Sequence, residues 1–144
     1  MQQTKMITKQ HIYLAAPLFT KGERDFNLSV YEYLTTNGYQ VFLPQQECEQ
    51  AEGEDIYKTC LYGLRSAAVV VAIVDGADAD SGTCWECGYA VSQGIPVIAV
   101  RTDFRGSGDT QGFNAMIYYS ATKVIDGSDR FLEEILSELQ VLVV

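Results

Sequence analysis

The sequence predicts an α/β protein built on a five-stranded parallel sheet with helices on both faces. Short apolar runs alternate with amphipathic helical segments along the whole chain, which is the pattern of strands joined by helical crossovers. The run from Ala68 to Val74 is continuous and rich in β-branched residues, as in a central strand buried on both faces. With 144 residues, 47% of them hydrophobic, we expect one domain over residues 1–144, with residues 1–10 flexible.

The predicted strands are short apolar segments, and proline or glycine ends most of them. Pro17 and Pro44 follow the first two strands, and the pair Asp75-Gly76 follows the third. The five strands are expected over residues 11–16, 39–43, 68–74, 95–100 and 123–125.

The predicted helices lie between these strands, and glycines at positions 38 and 94 close two of them. They are expected over residues 21–37, 55–67, 82–93, 114–120 and 128–139. Right-handed crossovers then favour a flavodoxin-like sheet of order 2-1-3-4-5. In this order the chain reverses direction between strands one and three, so a ligand crevice is expected beyond their carboxyl ends. The loops over residues 16–20 and 75–86 border that crevice.

Charge and composition narrow the classes of partner. The formal net charge is −9, with 19 acidic and 10 basic residues, so nucleic-acid polymers and acidic membranes are disfavoured as partners. The first ten residues are polar and no apolar stretch is long enough to span a bilayer, which predicts a cytoplasmic protein. The four cysteines are then expected to be free thiols.

Among the carboxylates in the loop and helix after the third strand, two are candidates for chemistry, Asp80 and Glu86. Thr83 and Glu86 have the spacing of a capping box, in which Glu86 is an exposed carboxylate at a helix N-terminus. Alternatively, the helix dipole holds Glu86 ionised at the mouth of the crevice, which suits a nucleophile. Asp80 lies across the same loop, where it can bind a sugar hydroxyl. The spacing alone leaves both interpretations open.

Two aromatic residues mark the first loop. Tyr13, near the end of strand one, can orient a carboxylate by a hydrogen bond, and Phe19 can stack on a flat base. Packing into the core is the alternative for each of them. His11, within the same strand, is interpreted as structural.

Three segments occur in a specific order and spacing: Tyr13 to Phe19 (YLAAPLF), Asp80 to Ala90 (DSGTCWECGYA) and Asn114 to Met116 (NAM). Together they resemble the signatures of the nucleoside 2-deoxyribosyltransferase family, and the similarity covers nearly the whole chain. The resemblance implies that Glu86 attacks the anomeric carbon of a deoxynucleoside and forms a covalent deoxyribosyl-enzyme. Tyr13 would hold that carboxylate, and Asp80 would bind the 5′-hydroxyl.

The resemblance also implies substrates and assembly. The substrates would be deoxynucleosides and free nucleobases, with no metal or organic cofactor. Phe19 and Gln46 would border the base. Asn114 would complete the site of a neighbouring subunit, which implies a homo-oligomer, and Met116 would belong to the same substrate-binding segment.

The sequence departs from the family pattern at two positions that are commonly polar. Aligned without gaps, these positions are Cys60 on the helix before strand three and Ala68 at its end. Cys60 therefore leaves the selectivity for the base open. The chain also ends in an apolar segment, residues 140–144, which is expected to pack in an oligomer interface or in the core.

Alternative functions rest on other residues. Arg101, Asp103 and Arg105 follow strand four, where arginines can clamp a phosphate, as a hydrolase of deoxynucleoside 5′-monophosphates requires. A solvated loop with internal ion pairs is the favoured interpretation of this segment. Hydrolysis of deoxynucleosides and a non-catalytic nucleoside-binding module are further alternatives. Cys84 and Cys87 form a C-x-x-C without a second pair, so they are interpreted as small apolar residues that pack their helix.

Overall fold

A computed structural model describes residues 11–106 and 110–143. It contains a five-stranded, fully parallel sheet of order β2-β1-β3-β4-β5, which confirms the predicted flavodoxin-like fold. The expectation for residues 1–10 lies outside the described part of the chain. The strands are β1 (His11–Ala15), β2 (Gln40–Phe42), β3 (Ala67–Ile73), β4 (Val97–Arg101) and β5 (Lys123–Asp126).

The helices follow the predicted alternation with one addition. They are α1 (Lys21–Thr36), α2 (Pro44–Glu47), α3 (Glu54–Arg65), α4 (Ser81–Ser92), α5 (Ala115–Ser120) and α6 (Phe131–Leu142). The short helix α2 was not predicted, because Pro44 was interpreted only as the end of a strand. Proline is also favoured in the first turn of a helix, where its missing N–H has no intrahelical partner, and here it begins α2.

The sheet separates two apolar layers. Residues from α1 and α6, including Val30 and Leu139, pack on one face, and residues from α3, α4 and α5 pack on the other. Because side chains alternate along a strand, Ile12 and Leu14 of β1 face the α1 and α6 layer. Tyr13 faces the opposite layer, which contains α4. The alternation in β1 therefore directs the Tyr13 ring toward the helix that carries Glu86.

The C-terminal helix begins and ends three residues later than predicted. Residues 140–142 therefore continue α6. Leu142 and Val143 pack against the core layer formed with α1, as expected, but Val141 is exposed. Within the described ranges, no helix has both the length and the apolar character needed to cross a bilayer.

Candidate active site

Tyr13 and Glu86 meet between the sheet and the helix layer beside it. The Tyr13 hydroxyl donates a hydrogen bond to Glu86 Oε2, joining residues 73 positions apart in the sequence. Tyr13 is fully buried, and its ring stacks on Phe42 of β2 with the ring centroids 5.2 Å apart. Burial, together with the negative charge and the hydrogen bond of Glu86, raises the pKa of Tyr13 far above its usual range. Tyr13 therefore remains a proton donor to the carboxylate at any ordinary pH.

One interpretation expected the helix dipole to hold Glu86 ionised, and the position of Glu86 in the helix does not support it. It is the sixth residue of α4, which begins at Ser81, and the influence of the dipole is largely confined to the first turn. Burial raises the pKa of Glu86 to about 7, the hydrogen bond from Tyr13 lowers it, and the negative charge of Asp80 raises it. Near neutral pH the side chain therefore exchanges between its acid and carboxylate forms.

The N-cap of α4 is Asp80, so the predicted capping box of Thr83 and Glu86 is wrong. Asp80 Oδ2 accepts hydrogen bonds from Thr83 N at 3.0 Å and from Thr83 Oγ1 at 3.1 Å. Thr83 is fully buried, so it anchors the carboxylate from below. The cap stabilises the start of α4. The same hydrogen bonds also hold Asp80 in one orientation near Glu86. This fixed carboxylate can accept a hydrogen bond from a polyol or sugar hydroxyl.

A cavity of about 540 Å³ opens between α3 and α4, with Glu86 in its wall. This volume is in the range of small-molecule sites. Apart from Glu86, the lining is mainly apolar and aromatic: Ile56, Tyr57, Cys60, Leu61, Leu64, Gly82 and Trp85. A flat aromatic ligand can pack against such walls while one end reaches the carboxylate.

The two departures from the family pattern lie in different environments. Cys60 lines the cavity, and burial raises the pKa of its thiol to about 12, opposed by a hydrogen bond with Tyr13. The thiol is therefore a neutral part of the wall at physiological pH. Ala68 packs with the α1 and α6 layer, on the opposite face of the sheet from Tyr13. Of these two positions, Cys60 is the one that adjoins the cavity.

All four residues predicted to bind the substrate lie outside the lining of this cavity, as do Tyr13 and Asp80. Phe19 is 72% exposed in the loop that follows β1, and Gln46 is exposed in α2. Asn114 is the N-cap of α5, and its Oδ1 accepts a hydrogen bond from Met116 N at 2.9 Å. Met116 is 80% exposed. A single chain thus leaves Asn114 and Met116 on its surface, and the roles of all four residues stay predictions.

Sequence reasoning missed most of the cavity wall. Ile56 and Leu64 have only the helical spacing of apolar residues, which is also the pattern of an ordinary core helix, and Cys60 was singled out only as a departure from the family pattern. Trp85 had a stronger signal in the sequence, because it stands directly before the candidate nucleophile. In the structure it is half exposed. Phe42, whose ring supports Tyr13, carried no signal beyond a strand pattern.

The residues considered as a phosphate clamp after β4 have separate structural roles. Arg101 is almost completely buried, and its guanidinium donates to the backbone oxygens of Val74, Gly76 and Arg105 at 3.2, 2.9 and 2.6 Å. It therefore ties the loops after β3 and β4 together and does not face solvent. Asp103 and Arg105 form an ion pair within the loop, in agreement with the favoured interpretation; Arg105 is exposed, whereas Asp103 is largely shielded and also accepts a hydrogen bond from Gly76 N at 3.2 Å.

The other candidate positions have structural roles. His11 Nε2 lies 2.6 Å from the carbonyl oxygen of Gly63, which joins β1 to α3. Cys87 is buried in the layer between the sheet and α4, and Cys84 is half-buried beside it. Both cysteines therefore pack their helix, as the sequence predicted.

Fold and site together define an α/β enzyme-like domain with a partly buried carboxylate at a cavity beside the sheet. The model of the family described as nucleoside 2-deoxyribosyltransferase matches residues 12–130. The chain belongs to this family, which supports an enzyme of the nucleoside deoxyribosyltransferase type. A search of curated proteins finds no significant match.

Solved structures agree with this assignment. A 2-deoxyribosyltransferase from Bacillus psychrosaccharolyticus is 25% identical, with a TM-score of 0.70 over 87% of this chain and 89% of that chain. A 2-deoxyribosyltransferase from Leishmania mexicana is 19% identical, with a TM-score of 0.73 over 90% and 97%. A conserved protein from Enterococcus faecalis V583 is 24% identical, with a TM-score of 0.74 over 90% and 99%. The latter two likenesses concern the fold alone.

Proposed function

We propose that this protein transfers 2-deoxyribose between nucleobases, with Glu86 as the nucleophile. The observation that carries the proposal is the partly buried carboxylate of Glu86, which accepts a hydrogen bond from Tyr13 and lines the wall of an aromatic cavity. Family membership supports the class of reaction, and the contacts support this choice of residues. No metal or organic cofactor takes part in the proposed reaction.

The reaction is a double displacement. In the first step the ionised Glu86 attacks C1′ of the deoxynucleoside, and the departing base takes the electron pair of the C–N bond. In the second step an acceptor base attacks C1′ of the glycosyl ester and Glu86 leaves as a carboxylate, so the configuration is retained overall. Both steps pass through an oxocarbenium-like state, whose positive charge a buried carboxylate stabilises strongly.

Tyr13 and Asp80 support this chemistry from two sides. The Tyr13 hydroxyl holds the Glu86 carboxylate in position and lowers its pKa, which increases the ionised fraction at neutral pH. Asp80, oriented by its bonds to Thr83, accepts a hydrogen bond from the 5′-hydroxyl of the sugar. A 5′-phosphate in the same position would be repelled by that carboxylate, so the free nucleoside is the favoured substrate.

The complete site requires a second subunit. Asn114 and Met116 of a neighbouring copy would close the site, while Phe19 and Gln46 border the base. This assembly is supported by large exposed apolar side chains on the three helices of the Glu86 layer, since such surfaces mark protein interfaces. They include Tyr57 and Tyr62 on α3, Trp85 on α4, and Met116 and Tyr119 on α5.

Base exchange is the direct test. The protein is incubated with deoxyinosine and adenine, and the products are separated by chromatography. Deoxyadenosine is the expected product. Hypoxanthine without deoxyadenosine, whatever acceptor base is supplied, would identify a hydrolase and reject the transferase. If neither appears but nucleosides bind, the protein is a binding module.

The nucleophile and the assembly are tested separately. A 2′-fluoro-arabino nucleoside should leave a mass adduct on the wild-type protein and none on Glu86→Ala. After digestion with trypsin, the adduct should lie on the peptide of residues 66–101. An adduct on another residue would reject Glu86 as the nucleophile. Analytical ultracentrifugation should show at least a dimer, and an active monomer would remove the proposed role of Asn114 in a neighbouring site.

A further inference from the structure

Two thiols face each other where α2 meets α3. Cys48 is the C-cap residue directly after α2, Cys60 lies in α3, and their Sγ atoms are 3.6 Å apart. A disulfide has an S–S length of about 2.05 Å, so the sulfurs need to approach by only about 1.5 Å. Both residues are half-buried, and a small thiol reagent can therefore reach the pair. Helix α2 has only four residues, which favours a local adjustment.

One of these thiols belongs to the cavity and the other does not. Cys60 lines the cavity together with Glu86 and interacts with Tyr13. Cys48 is absent from the cavity lining, and its Sγ lies 4.0 Å from the carbonyl oxygen of Ile56. A bond between the sulfurs would tie Cys60 to the end of α2 and so alter one wall of the cavity. The proposed reaction does not use Cys48, so the contact of the two thiols has no role in it.

We propose that Cys48 and Cys60 are a redox-sensitive thiol pair that a small-molecule disulfide oxidises to an intramolecular disulfide, and that this oxidation slows the reaction at Glu86. The Cys48 thiolate attacks the reagent and releases one thiol, forming a mixed disulfide. Cys60 then loses its proton and attacks the Cys48 sulfur, releasing the second thiol. Two protein thiols are oxidised and one small disulfide is reduced to two thiols, so the electrons balance.

The order of these steps follows from the environments of the thiols. Burial raises the pKa of Cys60 to about 12, so its thiolate is scarce at neutral pH. Cys48 lies outside the cavity lining, at the C-cap of α2, so the first attack on the external reagent is assigned to it. Cys60 follows because the mixed disulfide is held next to it, where proximity compensates for a low thiolate fraction.

Peptide mapping tests the bond itself, independently of any activity. The protein is treated with oxidised glutathione and digested with trypsin, which separates Cys48 in residues 25–58 from Cys60 in residues 59–65. We expect these two peptides to be joined and to separate again with dithiothreitol. Cys84 and Cys87 lie together in residues 66–101 and should remain outside the cross-link. Unlinked peptides would overturn the proposal.

The effect on the reaction rests on the proposed function and uses two variants. Oxidation should lower kcat/KM for base exchange by about 10- to 100-fold in the wild type, since a misplacement of about 1 Å in a site can cost about 100-fold. Dithiothreitol should restore it. Cys48→Ser should match the reduced wild type and resist the oxidant, whereas Cys84→Ser, the matched control, should respond as the wild type does. If the oxidant lowers kcat/KM of Cys48→Ser as much as that of the wild type, the regulatory effect is overturned. A disulfide that forms in the wild type without lowering kcat/KM would also overturn it. A reduced wild type without base exchange would instead reject the proposed function, while peptide mapping would still decide the thiol pair.

Discussion

Replacing Glu86 by glutamine isolates the energetic consequence of burying this carboxyl group, without any measurement of activity. The amide keeps the size of the side chain, and its oxygen can accept the same hydrogen bond from Tyr13. The pKa of Glu86 rises from 4.5, its ordinary value, to about 7 in the folded protein, mainly because of burial. Between these two values the folded protein binds a proton that the unfolded chain has released.

The sign of the pH dependence follows from this difference. Because the folded state binds more protons, the wild type loses stability as the pH rises from about 4.5 to about 7. The interval of about 2.5 pH units, at about 1.4 kcal/mol per unit, corresponds to about 3 kcal/mol. Glutamine has no proton to release. The advantage of Glu86→Gln over the wild type should therefore grow by about 3 kcal/mol between pH 4 and pH 8.

Urea unfolding at one-unit intervals from pH 4 to pH 8 measures this difference, at one fixed protein concentration. Glu49→Gln is the matched control, because Glu49 is an exposed glutamate outside the cavity lining. Its free energy of unfolding should stay within about 0.5 kcal/mol of the wild type. A difference between Glu86→Gln and the wild type that does not change with pH would refute the reasoning.

Three further predictions concern neighbouring features. Tyr13→Phe removes the hydrogen bond that lowers the pKa of Glu86. The acid limb of the pH profile of kcat/KM should therefore move to higher pH, upward from about 7, and a limb that stays in place would contradict this coupling. Asp80→Ala should destabilise the protein by about 1 kcal/mol through loss of the α4 cap. It should also reduce kcat/KM for deoxynucleosides more than for their 5′-deoxy analogues, and equal reductions would leave Asp80 as a cap alone. Gly112→Ala should destabilise the protein by about 1–3 kcal/mol in thermal unfolding, because Gly112 has φ +88° and a Cβ there would lie 2.7 Å from the Arg105 carbonyl oxygen. A loss of stability below about 0.5 kcal/mol would contradict this contact.

The fold could be predicted because its signals are local. The bounds of all five strands differ from the predicted bounds by at most two residues. Strand order followed from the right-handed crossover rule, which depends on chain connectivity and needs no knowledge of side-chain packing. The missed helix α2 shows the limit of local signals, because Pro44 can either end a strand or begin a helix.

The candidate site was only partly predictable. The topology and the motif spacing singled out Tyr13, Asp80 and Glu86, and the structure joins Tyr13 directly to Glu86. The spacing of Thr83 and Glu86, however, predicted the wrong cap, because the helix begins two residues before Thr83. Nothing in the local sequence indicated that Cys48 and Cys60 would be in contact, since their separation depends on how α2 turns into α3.

The sequence by itself determined which side chains are available and at which edge of the sheet they are delivered, because alternation and crossover handedness are properties of the local chain. Only the tertiary structure decided the protonation of Glu86. Its pKa depends on the depth of burial, on the hydroxyl of Tyr13 and on the charge of Asp80. Each of these depends on which groups are close to Glu86 in space, and the separation of residues along the sequence does not determine that.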